Sequence, residues 1–447
     1  MFCADKELCD RVVELCQQLI RVDTTNPPGN ERLAAELVAT ELGAAGLEPV
    51  VLESAPGRAN VVARLTGSGE APPLLLAAHL DVVPADPSRW RHGPFSGDIA
   101  DGCLWGRGAV DMKNMAAMCL GLVCRLARER VRLERDVIFA AVADEEAGCR
   151  YGSSWLCDEH PDLVRAQYAI GESGGFNIFL GAKRFFTIQV AEKGFCWVRA
   201  RVRGEPGHGS MPREDSAVVK LAEAVAKLAR RGLPPHQTEV VQDFIEAVAE
   251  AQSVPVGLLV RAVGASGALP GLLRLVPDKT LARPVAAMLA NTACATVVRA
   301  GEKTNVIPGV AEMEIDGRTL PGQTDADLLR ELGAVLGPGF ELEVMRSAPP
   351  VEASPWRTPL YERMAQAVLR REPDAAVVPY LLPAFTDAKS FARLGTRWYG
   401  FAPLKLPRGM RFADLYHGDD ERVPLDGLRW GTEVLAEVVA GFAAAGS

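Results

Sequence analysis

The chain has 447 residues, enough for two or three domains at about 150 residues each. Hydrophobic residues at 48% and charged residues at 24%, with 42 Gly and 31 Pro dispersed along the sequence, exclude a disordered or collagen-like chain. Lys and Arg number 49 against 57 Asp and Glu, a net charge of −8, which speaks against sequence-independent binding to nucleic acid or an anionic membrane and favours a small-molecule partner.

The chain opens with Met-Phe-Cys-Ala-Asp-Lys-Glu-Leu, charged where a signal peptide needs its apolar region, and no stretch approaches 18 uninterrupted apolar residues; a cytoplasmic protein is expected. Apolar positions at helical spacing predict helices over 5–22 and 31–46, joined by Thr25-Asn26-Pro27-Pro28-Gly29. Apolar runs at Asn60–Leu65, Leu74–Ala78, Val137–Ala143 and Tyr168–Ile170 read as strands, separated by helices over Met112–Arg128 and Ser153–Glu159. This alternation predicts an α/β sheet with helices on both faces. Near Lys183 the pattern changes to alternating strands, Phe185–Val190 and Cys196–Val202, then a helix over Ala217–Arg230. An apolar, Leu-rich segment at 254–300 follows, interrupted by Arg261, Arg274, Asp278 and Lys279, and is expected to form buried helices. A strand at Ala311–Ile315, a helix at Asp325–Leu336 and a strand at Glu341–Arg346 complete an α+β unit, and after Pro349-Pro350 the α/β pattern resumes. The second unit therefore reads as an insertion: 1–188 and 349–447 form one domain, and 189–348 the other.

Ten cysteines without CxxC pairs read as reduced and buried. Only six histidines are available to any imidazole-based site, at 79, 92, 160, 208, 236 and 417. The apolar strand at 74–78 runs into His79-Leu80-Asp81, and residues two apart on a strand share a side, so a carboxylate can stand beside the imidazole at the edge where α/β sheets bind ligands. Gly106-Arg107-Gly108-Ala109-Val110-Asp111 delivers one carboxylate just before a helix, a position that also suits an N-cap. Asp144-Glu145-Glu146 follows an apolar strand directly, a crowding of like charges that a cation relieves. Tyr168-Ala169-Ile170-Gly171-Glu172 ends another strand in a carboxylate, and Tyr416-His417-Gly418 lies near the end of the chain. His79, Asp111, Glu146, Glu172 and His417 make a set of two imidazoles and three carboxylates, which suits two divalent ions sharing a bridging carboxylate. His92, His160 and His236 sit in loop-like contexts and are expected to be structural or on the surface.

These five ordered motifs resemble those of the M20 family of dinuclear metallopeptidases, which contains aminoacylases, glutamate carboxypeptidases, carnosinases and succinyl-diaminopimelate desuccinylases. The resemblance implies a dinuclear-zinc exopeptidase-like catalytic α/β domain, interrupted by a smaller α+β lid and dimerisation domain. It implies two divalent metal ions, zinc first with cobalt or manganese as alternatives: His79 and Glu172 on one, Glu146 and His417 on the other, Asp111 bridging. Glu145 becomes the general acid/base and Asp81 orients His79, and the Asp111–Met112 peptide is expected to be cis. In the lid, Gly207-His208-Gly209-Ser210 is similar to the segment whose histidine serves the partner's active site in a homodimer. Asn305 in Lys303–Pro308 and Arg318 in Gly317-Arg318-Thr319-Leu320-Pro321-Gly322 match substrate-binding positions, with Arg318 on a free carboxylate. Gly171 departs from the Asp or Asn that often precedes the family's ligand, and Glu172 leans toward the aminoacylase and carboxypeptidase-S-like branches. The implied activity is hydrolysis of N-acyl amino acids, or of C-terminal or dipeptide bonds; a fold retained only for binding is the alternative class.

Overall fold

Every residue of the strands Leu74–His79 and Val137–Val142 is buried, and since successive side chains point to opposite faces, both faces of their sheet are covered. The computed structural model describes residues 4–265, 267, 269–275 and 279–444. In it the larger sheet has the order Val50–Ala55, Arg58–Leu65, Val137–Val142, Leu74–His79, Tyr168–Gly171, Arg397–Gly400, Lys183–Glu192, Ala376–Leu382, with Asn177–Leu180 paired to Lys183–Glu192. Leu74–His79 runs parallel to both Val137–Val142 and Tyr168–Gly171, with His79 opposite Val142 and Leu76 opposite Ile170. The carboxyl ends of the three strands are therefore nearly level, and the residues that follow them emerge on one edge.

The chain divides into two compact units, Met1–Val190 with Ser354–Tyr380 and Thr386–Ser447, and Ala191–Ala353 with Leu381–Phe385. In the first, the helices Lys6–Ile20, Lys113–Arg128 and Leu425–Ala443 pack on one another through stripes that include Val12, Leu15, Met115, Leu122, Leu428 and Leu435. Asp5 caps the first of them by accepting from Leu8 N at 2.9 Å. Two pieces escape the sequence pattern. Val50–Ala55 is a largely exposed edge strand without apolar alternation. A three-stranded sheet, Ile99–Ala100, Cys103–Trp105 and Arg422–Pro424, is built from strands too short to show a period, and it joins positions more than 300 residues apart.

In the second unit Thr292–Ala300, Val310–Thr319, Gly194–Arg203 and Phe340–Ala348 form an antiparallel sheet in that order. One face packs Cys196, Val198, Ala200, Met313 and Ile315 against Leu221, Leu228, Leu328 and Leu332 of the helices Ala217–Arg231 and Asp325–Leu336. The Leu-rich segment corrects an expectation. Its helices Val254–Ala265 and Leu269–Leu275 form, but Val254, Leu258, Leu259 and Leu275 are each 60% exposed or more, so they are not buried core helices. Its Asp278 and the side chain of Lys279 lie outside what is described. Among the described residues no single helix is long and apolar enough to cross a membrane. The nine described cysteines are free; eight are buried and Cys294 is exposed.

Candidate metal centre

The level strand ends set the site. His79 Nδ1 lies 2.9 Å from the Asp81 carbonyl oxygen, which can only accept, so Nδ1 donates and a neutral ring carries its lone pair on Nε2. Nε2 faces Asp111 Oδ1 at 3.2 Å and Glu172 Oε2 at 3.6 Å. Asp81 thus orients His79 through its main chain. Its carboxylate, 3.7 Å from Nδ1, instead accepts from the amides of Glu145 and Glu146 at 3.1 Å each and from Asn26 Nδ2 at 2.8 Å, holding the acidic turn in place. That turn enters through Asp144 in the left-handed region (φ 67°), where Arg58 Nη2, Asn26 Nδ2 and Tyr151 N fix its carboxylate. Arg58 also pairs bidentately with buried Glu31. Glu172 follows Gly171, and a Cβ at Gly171 would stand 2.0 Å from the Trp398 ring, which accounts for the absence of a larger residue there.

Asp111 arrives on the glycine-bracketed loop, in which Gly108 has φ 88°. The Asp111–Met112 peptide is cis, as the resemblance implied. Buried Glu421 anchors this loop. Its Oε1 accepts from Val110 N at 2.8 Å and Asp111 N at 3.2 Å, and its Oε2 pairs with Arg107 at 2.7 Å. Pairing of Cys103–Trp105 with Arg422–Pro424 brings the two chain segments together and with them His417, itself at φ 59°. His417 Nε2 lies 3.2 Å from Asp111 Oδ2 and 3.1 Å from Glu146 Oε2. One carboxylate, Asp111, therefore offers Oδ1 to one imidazole and Oδ2 to the other, with Glu172 on the His79 side and Glu146 on the His417 side.

Anions outnumber cations here, and the protonation of each group records it. Burial and the neighbouring Glu172 carboxylate push Glu145 well up, and burial pushes Glu172 up to about 7. Burial works against a charged His417, yet Asp111 and Glu146 hold it up to about 10, and in the same way Glu172 and Asp111 hold His79 well up. Burial raises Glu146 as well, whereas the two imidazoles outweigh it at Asp111 and hold that carboxyl far down. Glu172 Oε1 is buried without a hydrogen-bond partner among the described residues. Ligand atoms of His79, Asp111 and Glu146, and likewise of His79, Glu145 and Glu172, lie within 4.8 Å of one another. An orphaned carboxylate oxygen and a nitrogen–oxygen donor set without thiolate fit two divalent cations.

Three of the expected residues belong to the second unit. His208 and Asn305 are brought together by a two-stranded ladder, Gly207–His208 with Val306–Ile307, and Gly209 N donates to Asn305 O at 2.9 Å. Both side chains are exposed. His208 Nδ1 accepts from Ser210 N at 3.2 Å, so a neutral ring carries its proton on Nε2, free to donate. Arg318 lies on the four-stranded sheet, paired with Asp316. Of the histidines without an assigned role, His92 contacts Asp98 and Trp105, His160 packs on Trp155, and His236 pairs with Glu331 at 2.5 Å.

The motifs left two contributors unassigned. Glu421 was visible only as one of three acids after His417. Asp387, on no recognised motif, is buried and accepts from Ser153 Oγ at 2.5 Å, and its charge bears on Glu145 and Glu172. A buried acid far from the others in sequence gives no local signal.

The model of peptidase family M20/M25/M40 matches residues 75–441. The chain is 28% identical over 375 residues to carboxypeptidase S-like 2 of Dictyostelium discoideum, covering 79% of this chain and 68% of that one. It is 29% identical over 397 residues to the N-fatty-acyl-amino acid synthase/hydrolase PM20D1 of Mus musculus, covering 84% and 76%. A solved M20 family metallo-carboxypeptidase from Sulfolobus solfataricus superposes with a TM-score of 0.70 at 18% identity, covering 98% of this chain and 99% of that one.

Proposed function

The chain belongs to peptidase family M20/M25/M40 and is a metal-dependent hydrolase of amide bonds, and from that premise we propose that its substrates are small amides carrying a free carboxylate, N-acyl amino acids first. The observation that carries the reading is Asp111, one oxygen directed at each of two histidine Nε2 atoms, with buried Glu145 beside them. In this reading His79 and Glu172 hold one cation, His417 and Glu146 the other, and Asp111 both; zinc suits the set, and cobalt and manganese are the alternatives. Bound there, the cations supply Lewis acidity, which lowers the pKa of water toward neutrality and polarises a carbonyl.

Glu145 takes a proton from the attacking water and returns it to the departing amide nitrogen, so one carboxyl serves both steps. Its backbone amide is held by Asp81, which fixes where the carboxyl begins. His208, with its proton on Nε2, donates to the carbonyl oxygen as negative charge develops there, a donation typically worth about a hundredfold or more in turnover. The guanidinium of Arg318, with Asn305, binds the substrate's carboxylate. The proposal includes the domain roles, with the inserted 189–348 region as lid and dimerisation domain, His208 supplied by a second copy, and a cytoplasmic homodimer as the working form.

A dipeptidase or carboxypeptidase activity is the second reading, supported by the carboxypeptidase S-like relative. One screen separates the two: N-acyl amino acids, dipeptides and the carboxamide of each, assayed after metal removal and after restoring Zn, Co or Mn. Cleavage of N-acyl amino acids over dipeptides, lost with the metal and weakened by amidation, is expected. Hydrolysis surviving complete chelation, or indifference to the carboxylate, would overturn the proposal.

A further inference from the structure

On the open face of the second unit's sheet, arginines reach carboxylates on neighbouring strands: Arg201 to Glu312 at 3.1 Å, Arg203 to Glu341 at 3.1 Å, and Arg299 to Glu314 at 2.5 Å. Arg318 does otherwise. It turns along its own strand to Asp316, two residues earlier on the same face, and gives it both Nε at 2.8 Å and Nη2 at 3.0 Å. The Phe385 ring lies 5.1 Å from the guanidinium carbon. Phe195 stands directly across from Arg318 in the sheet, Trp197 directly across from Asp316, and Phe195 packs on both Trp197 and Phe385. One edge of the fork is thus engaged by a carboxylate and one face by an aromatic ring.

A guanidinium has two edges that match a carboxylate, and Asp316 takes only the Nε/Nη2 edge. On the other, Nη1 is buried with no hydrogen-bond partner among the described residues, a state that costs free energy until an acceptor arrives. Buried Lys193 stands near enough to Arg318 for the guanidinium to disfavour its protonated form, and its Nζ donates to the Ala290 carbonyl at 2.6 Å.

We propose that Asp316 is a specificity-determining positioning residue: by holding the Nε/Nη2 edge of Arg318 it presents the Nη1 edge, under Phe385, to a single carboxylate of the ligand. The inference rests on Arg318 being the carboxylate-binding residue. Asp316 acts through Arg318 and does not touch the ligand.

Calorimetry on the full-length, metal-loaded Glu145→Gln protein, in which turnover is blocked, measures Kd for an N-acyl amino acid and for its carboxamide, alone and combined with Asp316→Asn or Arg318→Ala. Asp316→Asn is expected to raise Kd for the carboxylate about tenfold, the loss of one charge-assisted contact, and to leave the carboxamide within about twofold. A merely structural role for Asp316 would shift both ligands alike, and that outcome overturns the proposal. So does unchanged or tighter carboxylate binding in Asp316→Asn while Arg318→Ala abolishes discrimination, which leaves the role of Arg318 intact. Discrimination that survives Arg318→Ala removes the underlying assignment, and this one with it.

Discussion

Two regions of the molecule gather acidic side chains, at the carboxyl edge of the first unit's sheet and on the open face of the second unit's sheet. On the open face each glutamate has an arginine across the strand, from Arg199 with Glu343 to Arg299 with Glu314, and the pairs are half-exposed. At the sheet edge Asp111, Glu145, Glu146 and Glu172 are crowded into buried space around two imidazoles, and three of them are pushed toward the protonated form. Asp144 and Glu31 on Arg58, and Glu421 on Arg107, have guanidinium partners in the same unit, although burial raises Glu31 as well and pushes Glu421 up to about 7. Buried carboxylates without a guanidinium partner are relieved by protonation or by a bound cation, whereas ion pairs at the surface carry small energetic weight.

This contrast can be broken by mutation. Glu145→Gln should lower kcat by at least about a hundredfold while two metal ions per chain remain bound, measured by steady-state assay and elemental analysis on the same preparation; retained activity sinks the assigned role. Removing Glu421 strands Arg107 in a buried place and frees the 110–111 amides. Glu421→Ala should therefore cost about 3–5 kcal/mol in chemical unfolding and about ten- to a hundredfold in metal affinity, read by competition with a chelator. A variant as stable as the parent would show that the Asp111 loop does not depend on this anchor. At the other extreme, Arg201→Ala on the open face should change stability by less than about 1 kcal/mol, and by less still at high salt.

Between these lies Lys193. Burial, with Arg318 adding to it, pushes its ammonium down to about 7 from the ordinary 10.5. Between those values the unfolded chain carries the proton and the folded one does not, so this group makes stability rise with pH from about 7 to 10.5. Urea unfolding across that range should show a steeper rise for the parent protein than for Lys193→Met, and parallel profiles would contradict the assignment.

Much of the candidate site is legible in the chain because strand, turn and acid are adjacent: Leu74 to Asp81, Val137 to Glu146 and Tyr168 to Glu172 each carry an apolar run that must be buried and a polar end that cannot follow it. The same locality made Asp325–Leu336 readable to the residue, with Thr324 and Asp327 as a capping box. The helices after Val254 are exposed despite their apolar composition, because composition reports a tendency to be buried and not the presence of a partner surface. Glu421 and Asp387 were missed for a related reason, since each owes its role to residues more than 200 positions away.

The amino-acid sequence by itself singled out candidate ligands, His79, Glu146 and Glu172 at the ends of apolar strands and Asp111 and His417 on short loop motifs. Tertiary structure alone decided that Asp111 turns one oxygen to each histidine, that Asp81 acts on His79 through its carbonyl, and that Arg318 spends one edge on Asp316. Those are matters of ångströms between segments far apart in the chain, set by parallel register and long-range pairing, and local sequence does not encode them.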